Sequence, residues 1–193
     1  MTSLNLKSGT ISAFILLALS AAVAQAGDWT GNVSAVLGQK TLDDKDWPQH
    51  DEHGSIGVMT DFKKKNWPLS IAVDFFGTGD EDDHGDSKHE GYTSDIHLGA
   101  RKVFDLASSS FKPYIGAGLA LVYAEETNNE GFVSRSDDDQ STGYWVGTGA
   151  YVQVSEHINV GADLRYSEAE VSLFNENREA GGVNFGVSAG YHW

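Results

Sequence analysis

Beyond residue 26 the chain repeats one simple pattern: an apolar or aromatic residue at every second position. The last dozen residues display it most clearly. Val183, Phe185, Val187, Ala189, Tyr191 and Trp193 alternate with Asn184, Gly186, Ser188, Gly190 and His192. A period of two places successive side chains on opposite sides of an extended backbone, so the segment predicts a β-strand with one greasy face and one polar, small-residue face. Seven earlier segments carry the same signature. Their apolar faces run Trp29–Leu37, Ile56–Phe62, Leu69–Phe75, Tyr92–Ala100, Ile115–Tyr123, Tyr144–Val152 and Val160–Tyr166. No amphipathic helix pattern competes with these eight predicted strands.

The opposite faces hold Asp61, Asp74, Asp95, His97, Arg101, Asp163 and Arg165 among many glycines. Glycine inside a strand normally weakens it, but in a narrow closed sheet it leaves room for a large neighbour such as Tyr114, Trp145 or Tyr151. Two environments produce such alternation. A soluble ligand-carrying barrel turns its greasy face inward, whereas a membrane barrel turns it toward lipid.

The heights of the aromatic residues separate these alternatives. With the first strand drawn upward, Phe75, Tyr92, Tyr123, Tyr144 and Tyr166 fall near one rim, and Trp29, Phe62, Tyr191 and Trp193 near the other. Valine, isoleucine, leucine and alanine occupy the band between. Two aromatic girdles around an aliphatic belt suit a bilayer, because amphipathic rings favour the headgroup level. A protein core gives no reason to sort rings by height. The expected fold is therefore all-β: an eight-stranded antiparallel up-and-down transmembrane barrel.

Connection lengths support this architecture. Those after the first, third, fifth and seventh segments are long (TLDDKDWPQHDEH, GDEDDHGDSKHE, EETNNEGFVSRSDDDQ and EAEVSLFNENREA), and the others are shorter. In an up-and-down barrel every second connection returns to the same rim. The four long ones hold 21 acidic and 4 basic side chains, a net charge of -17. The whole chain carries -15, and removing Lys7 with the first 26 residues leaves -16, so the remainder of the barrel is nearly neutral. One rim is strongly anionic, while Lys63, Lys64 and Lys65 make a turn at the other basic. Such acidity excludes nucleic acid as an expected partner, since phosphate binding needs lysine and arginine.

Residues 1–26 read as a cleaved secretory signal peptide: Lys7, the apolar run ISAFILLALSAAVA, and an Ala24-Gln25-Ala26 cleavage site. The run is short for a spanning helix. Residues 27–193 then form one barrel domain. The chain contains no cysteine, so no disulfide framework supports it.

The terminal alternating strand ending in Trp193 and the segment FKPYIGAGLALVY at 111–123 carry a resemblance to the small outer-membrane β-barrel proteins of Gram-negative bacteria, the OmpA-like transmembrane barrel group. The resemblance spans nearly all of residues 27–193 and implies a bacterial outer-membrane location. It further implies that Phe185, Tyr191 and Trp193 form the signal read by the barrel-assembly machinery, with outer-membrane lipid and lipopolysaccharide as surroundings. Because the sequence stops at the last barrel strand, no added periplasmic peptidoglycan-binding domain is expected.

Candidate chemistry is sparse. The interior charges Asp61, Asp74, Asp95, His97, Arg101, Asp163 and Arg165 are expected to pair across a narrow lumen that leaves little room for substrate. His50 and His53 in HDEH, and His84 and His89 in DEDDHGDSKHE, are weak metal-ligand candidates, because neither spacing matches an established motif. Divalent cations at the acidic loops are the remaining metal expectation, and no cofactor is expected. RYSEAEV at 165–171 is similar to the lipid A deacylase region in which a His and a Ser stand two residues apart on the outer barrel surface. Ser167 matches the Ser and Glu179 lies at a suitable distance, but Arg165 replaces the His, so no base activates the hydroxyl. The expected role is therefore structural or interactive and non-enzymatic. A small lipid A enzyme and a narrow solute path are the alternatives.

Overall fold

The computed structural model describes residues 27–42, 52–84, 87–106, 110–130, 133–173 and 176–193. Eight strands close a barrel: β1 (Trp29–Thr41), β2 (Glu52–Lys64), β3 (Ser70–His84), β4 (Ser87–Val103), β5 (Phe111–Glu130), β6 (Val133–Gln153), β7 (Ile158–Glu168) and β10 (Gly182–His192). Each pairs antiparallel with the barrel strands before and after it, so that β7 pairs with β10, and β10 returns to β1. Between β7 and β10 lies a small separate hairpin, β8 (Glu170–Leu173) with β9 (Glu176–Glu179).

Closure follows from pairing every strand edge, which leaves no open ladder. The register also sets the width. Followed from Ile115 through Thr148, Leu164, Phe185, Gln39, Gly54, Gly79 and Tyr92, it returns to β5 at Glu125, ten residues beyond its start (125 minus 115). With a rise of about 3.3 Å per residue and about 4.8 Å between strands, that offset tilts the strands by roughly 40° and gives a backbone radius of about 8 Å. Side chains from opposite walls of so narrow a tube meet at its axis.

The chain's last residue is fastened into the closing seam. Trp193 donates its backbone N–H to the Gly31 carbonyl at 3.0 Å, and its own carbonyl accepts from the Gly31 N–H at 3.2 Å and from Thr30 Oγ1 at 2.5 Å. At the other end of β10, Gly182 takes φ +126°, a conformation that side chains disfavour, and a Cβ there would lie 2.2 Å from the Thr41 carbonyl oxygen.

The outward face carries the apolar set. Leu37, Ile56 and Leu119 are 61%, 63% and 60% exposed, with Phe185 and Val187 close behind. The inward face reverses this, and Asp74 and Arg101 are fully buried. A continuous apolar wall around a charged interior is stable only in an apolar surrounding.

Two of the four long connections differ from the sequence reading. GDEDDHGDSKHE and EETNNEGFVSRSDDDQ are largely continuations of paired strands, from Asp80↔Gly91 to His84↔Ser87 and from Glu125↔Asp138 to Glu130↔Val133. β5 and β6, at 20 and 21 residues, are about twice the 9–11 residues that span a bilayer, so both project as a ribbon on the acidic side. Backbone pairing needs no apolar alternation, which is why hydropathy does not reveal it.

Candidate functional site

The lumen is the site with the most organised chemistry, and it divides into three levels. At mid-height Asp74 holds two guanidinium groups: Arg101 Nη2 at 2.7 Å and Arg165 Nη1 at 2.8 Å, both donating to Oδ2. Arg101 reaches Asp61 at 3.2 Å and Arg165 reaches Asp163 at 3.3 Å. Tyr114 donates to Asp163 at 2.7 Å and Tyr151 to Asp61 at 3.4 Å. Arg165 also contacts His97 Nδ1 at 2.8 Å, and its guanidinium carbon lies 4.7 Å from the Phe76 ring centre and 4.6 Å from that of Trp145. Buried charges persist where each is paired and hydrogen-bonded, and flat aromatic faces add cation–π attraction.

The large rings fit because glycines stand opposite them. A Cβ on Gly149 would fall 2.4 Å from the Tyr114 hydroxyl, and one on Gly116 would fall 2.8 Å from the Trp145 ring.

Toward the acidic rim the lumen changes character. The inward residues Ala120, Val122, Ala124 and Trp145 form one buried apolar cluster with Ala169, Val171, Leu173 and Ala180 of the β8–β9 segment. The last long connection thus turns its apolar side down into the mouth. Three sets of hydrogen bonds fasten it. Glu179 Oε1 accepts from the Ala169 and Gly181 amides, Asp139 Oδ2 accepts from the Ser172 amide at 2.7 Å, and Lys40 Nζ donates to the Ala180 carbonyl at 2.9 Å. Lys40, 1% exposed, also pairs with Asp95 at 2.9 Å.

Toward the other rim the lumen opens. A cavity of about 340 Å³ is lined by Asn32, Tyr151, Gln153, Asn159 and His192 on its walls, with Lys63, Lys65, Lys112 and Asp105 toward the mouth. Lys112 donates to Asp105 at 2.9 Å, which holds the Asp105 carboxyl below the usual aspartate range.

The structure therefore brings Asp61, Asp74, Asp163, Arg101, Arg165 and His97 into one network and places Asp95 one level higher, against Lys40. Sequence reasoning missed Lys40. Its alternation with the outward residues Leu37 and Gln39 places it on the inner face, but its position beside an acidic loop disguised it. Ser167 is 4% exposed and shares the inner face with Asp163 and Arg165, so it faces away from the outer barrel surface where the deacylase resemblance requires it. Glu179 serves the hairpin instead.

The aromatic residues lie on the outer wall at the heights the register sets. Trp29, Phe62, Tyr191 and Trp193 ring the short-turn rim, and Trp29 packs against Phe62 and Trp67 at 5.9 and 5.5 Å. Tyr92, Tyr123, Tyr144 and Tyr166 stand toward the acidic rim, where Tyr144 and Tyr166 both donate to Glu168. Phe75 sits deeper, in line with Val58 and Ile96. The exposed Trp67, Phe104 and Phe111 join the short-turn ring and escaped notice because two of them lie in turns, outside the alternation. Phe185 and Tyr191 are exposed on β10.

Of the metal candidates, His50 and the side chains of His84 and His89 lie outside the described residues, while His53 is buried on the inner face of β2. Among the described residues no group of three or more His, Asp or Glu side chains could hold a metal. The expected signal peptide at 1–26 also lies outside the described residues.

Comparison with known proteins places this architecture. The profile of the outer membrane protein beta-barrel domain family matches residues 11–192. No curated protein matches in sequence. Among solved structures, the Neisserial surface protein A is 21% identical, with 86% of this chain and 96% of that one covered and a TM-score of 0.54. Ail, the attachment invasion locus protein of Yersinia pestis, is 14% identical over 86% of this chain and 97% of that one, with a TM-score of 0.55. The outer membrane protein OprG of Pseudomonas aeruginosa is 12% identical over 85% and 95%, with a TM-score of 0.61. At these identities the likeness concerns the fold. The chain belongs to the outer membrane protein beta-barrel domain family, and its place is the bacterial outer membrane.

Proposed function

We propose that this protein is a non-enzymatic surface component: a rigid barrel, exported by a signal peptide cleaved after Ala26, that presents acidic loops outside the cell. The observation that carries the reading is the filled mid-lumen. Asp61, Asp74, Asp163, Arg101 and Arg165 are all under 5% exposed and bound to one another, which leaves neither a solute path nor a substrate cleft at that level. Function then belongs to the surfaces the barrel displays, as is usual for loops on a rigid scaffold.

Charge narrows the partner. The four long connections carry -17, so they suit divalent cations bridging lipopolysaccharide or a basic surface, with an attraction that weakens as salt rises. Ail of Yersinia pestis was solved with a heparin analogue, sucrose octasulfate. A polysulfate of that kind is repelled by the acidic rim here, so this chain takes partners of the opposite charge. On the same reading Phe185, Tyr191 and Trp193 engage the assembly machinery during insertion.

The test replaces the first three long connections by short turns and keeps the β8–β9 hairpin, which fills the mouth. The trimmed barrel should still insert and migrate heat-modifiably in detergent gels, while losing attachment to cationic surfaces and calcium-dependent contact with lipopolysaccharide. Unchanged attachment would overturn the interactive role. A lipid A acyl chain lost on overproduction would overturn the non-enzymatic one.

A further inference from the structure

The inner cavity has a use that the surface role leaves untouched. It lies at the short-turn end, opposite the acidic rim, and its mouth is basic. Lys63 and Lys65 line it and make no salt bridge or side-chain hydrogen bond among the described residues, although Lys63 is near enough to act on the Asp105 carboxyl, whose direct partner is Lys112, also in the lining. Lys64, between them in sequence, points to the outer side and lies 5.7 Å from the Trp29 ring centre. Strand alternation turns Lys63 inward and Lys64 outward, and Lys65, in the turn just beyond β2, falls on the cavity side again.

Behind the cations the cavity wall is rich in hydrogen-bonding groups, and the carboxylate it includes, Asp61, is already paired with Arg101 at 3.2 Å. Gln153 Nε2 and His192 Nε2 lie 3.0 Å apart, leaving His192 Nδ1 without a partner among the described residues. Asn159, 2% exposed, donates to Asn32 at 2.6 Å while its own Oδ1 remains unpaired. The Tyr151 ring forms part of the inner end. Three lysines at the mouth share one carboxylate, Asp105, so the surplus positive charge calls for an anion, and amide, imidazole and phenol groups behind them call for hydroxyls. A volume of about 340 Å³ falls within the range of small-molecule pockets, roughly 300–1,000 Å³, and is large enough for one sugar ring.

We propose that this inner vestibule binds a small hydroxylated acid, a sugar ring carrying one carboxylate or phosphate, with the acid group held between Lys63 and Lys65 and the ring hydroxyls against Asn159, Gln153 and His192. The acid enters from the periplasmic side, because the mid-lumen network and the β8–β9 hairpin close the way from outside. Free periplasmic solutes and the acidic sugars of the cell wall share this chemistry.

Calorimetry on the full barrel refolded in detergent tests the proposal, with N-acetylmuramic acid and glucose 6-phosphate as probes and glucose as the neutral comparison. Both acids should bind saturably and glucose should not. The double variant Lys63→Gln/Lys65→Gln should weaken binding by about tenfold or more, and Lys64→Gln should leave it unchanged. These positions bear on no buried pair, so the variants fold. Retention of the barrel on purified cell-wall sacculi, lost in the double variant, identifies the polymer as the source. Binding of the soluble acids without such retention identifies a free solute. Absence of saturable binding at ten-millimolar acid (order of magnitude, ~10 mM), equal binding of glucose, or binding that survives the double variant would each overturn the proposal.

Discussion

The two halves of the lumen are built from the same eight strands and the same alternation, yet they solve opposite problems. Toward the acidic rim the inward positions are Ala120, Val122 and Ala124, small and apolar, and the space they leave is filled by Val171 and Leu173 from the last connection. Toward the basic rim the inward positions are Asn32, Gln153, Asn159 and His192, polar and unfilled, and they surround open volume. Between them the Asp74 network forms a partition. The comparison teaches that an inward strand position specifies no single environment. Small apolar residues need a plug from elsewhere in the chain, whereas polar residues tolerate water.

The partition should be the most sensitive point. Asp74→Ala leaves Arg101 and Arg165 buried without their shared partner, and losing half of a buried ion pair costs about 3–5 kcal/mol. Urea unfolding of the barrel in micelles should show a loss in the upper part of that range. A loss below about 1 kcal/mol would mean that water reaches both guanidinium groups. Next is the latch. Lys40→Met strands Asp95 and the Ala180 carbonyl, so about 3 kcal/mol should be lost, and protease added outside cells should cut within residues 169–180 several-fold faster.

Leu173→Ala should cost about 2–3 kcal/mol through the cavity it leaves. Faster hydrogen exchange should then be confined to the hairpin and leave the inner half unaltered. Smallest is Asp105→Asn at the open end, where screening by water holds the loss below about 0.5 kcal/mol. Because Lys112 lowers the Asp105 pKa, its contribution is present above the unfolded value, near pH 4, and disappears as pH falls through the lower folded value. Acid titration of the variant against the parent chain should show that narrow difference and no other.

Much of this was legible in the sequence, for a physical reason. Barrel strands expose one face to lipid and one to a narrow interior, so Leu37, Ile56, Leu119 and Val187 on one side and Asp74, Arg101 and Arg165 on the other announce themselves by period alone. Lys40 and the β8–β9 hairpin were not legible. Lys40 is buried by a carbonyl 140 residues away in the chain, at Ala180, and its partner Asp95 stands on a strand that its own strand does not pair with. Val171 and Leu173 alternate over only four residues among acids, too short a run to distinguish a plug from a solvated loop. The extended ribbon of β5 and β6 was hidden likewise, since ladder pairing of polar residues leaves no trace in hydropathy. The inner vestibule required the structure: Lys63 and Lys65 read as a plain basic turn until the pairing of β2 turned Lys63 inward and the cavity lining gathered both.

The most direct test uses the absence of cysteine from the chain. Single variants Ala124→Cys, under the hairpin, and Gln153→Cys, in the vestibule, would be treated in membranes with a water-soluble maleimide applied to one side at a time. Gln153→Cys should react from the periplasmic side alone, and Ala124→Cys should stay unreacted from both. Labelling of Ala124→Cys from outside at a rate matching that of Gln153→Cys would show an open mouth and contradict the account.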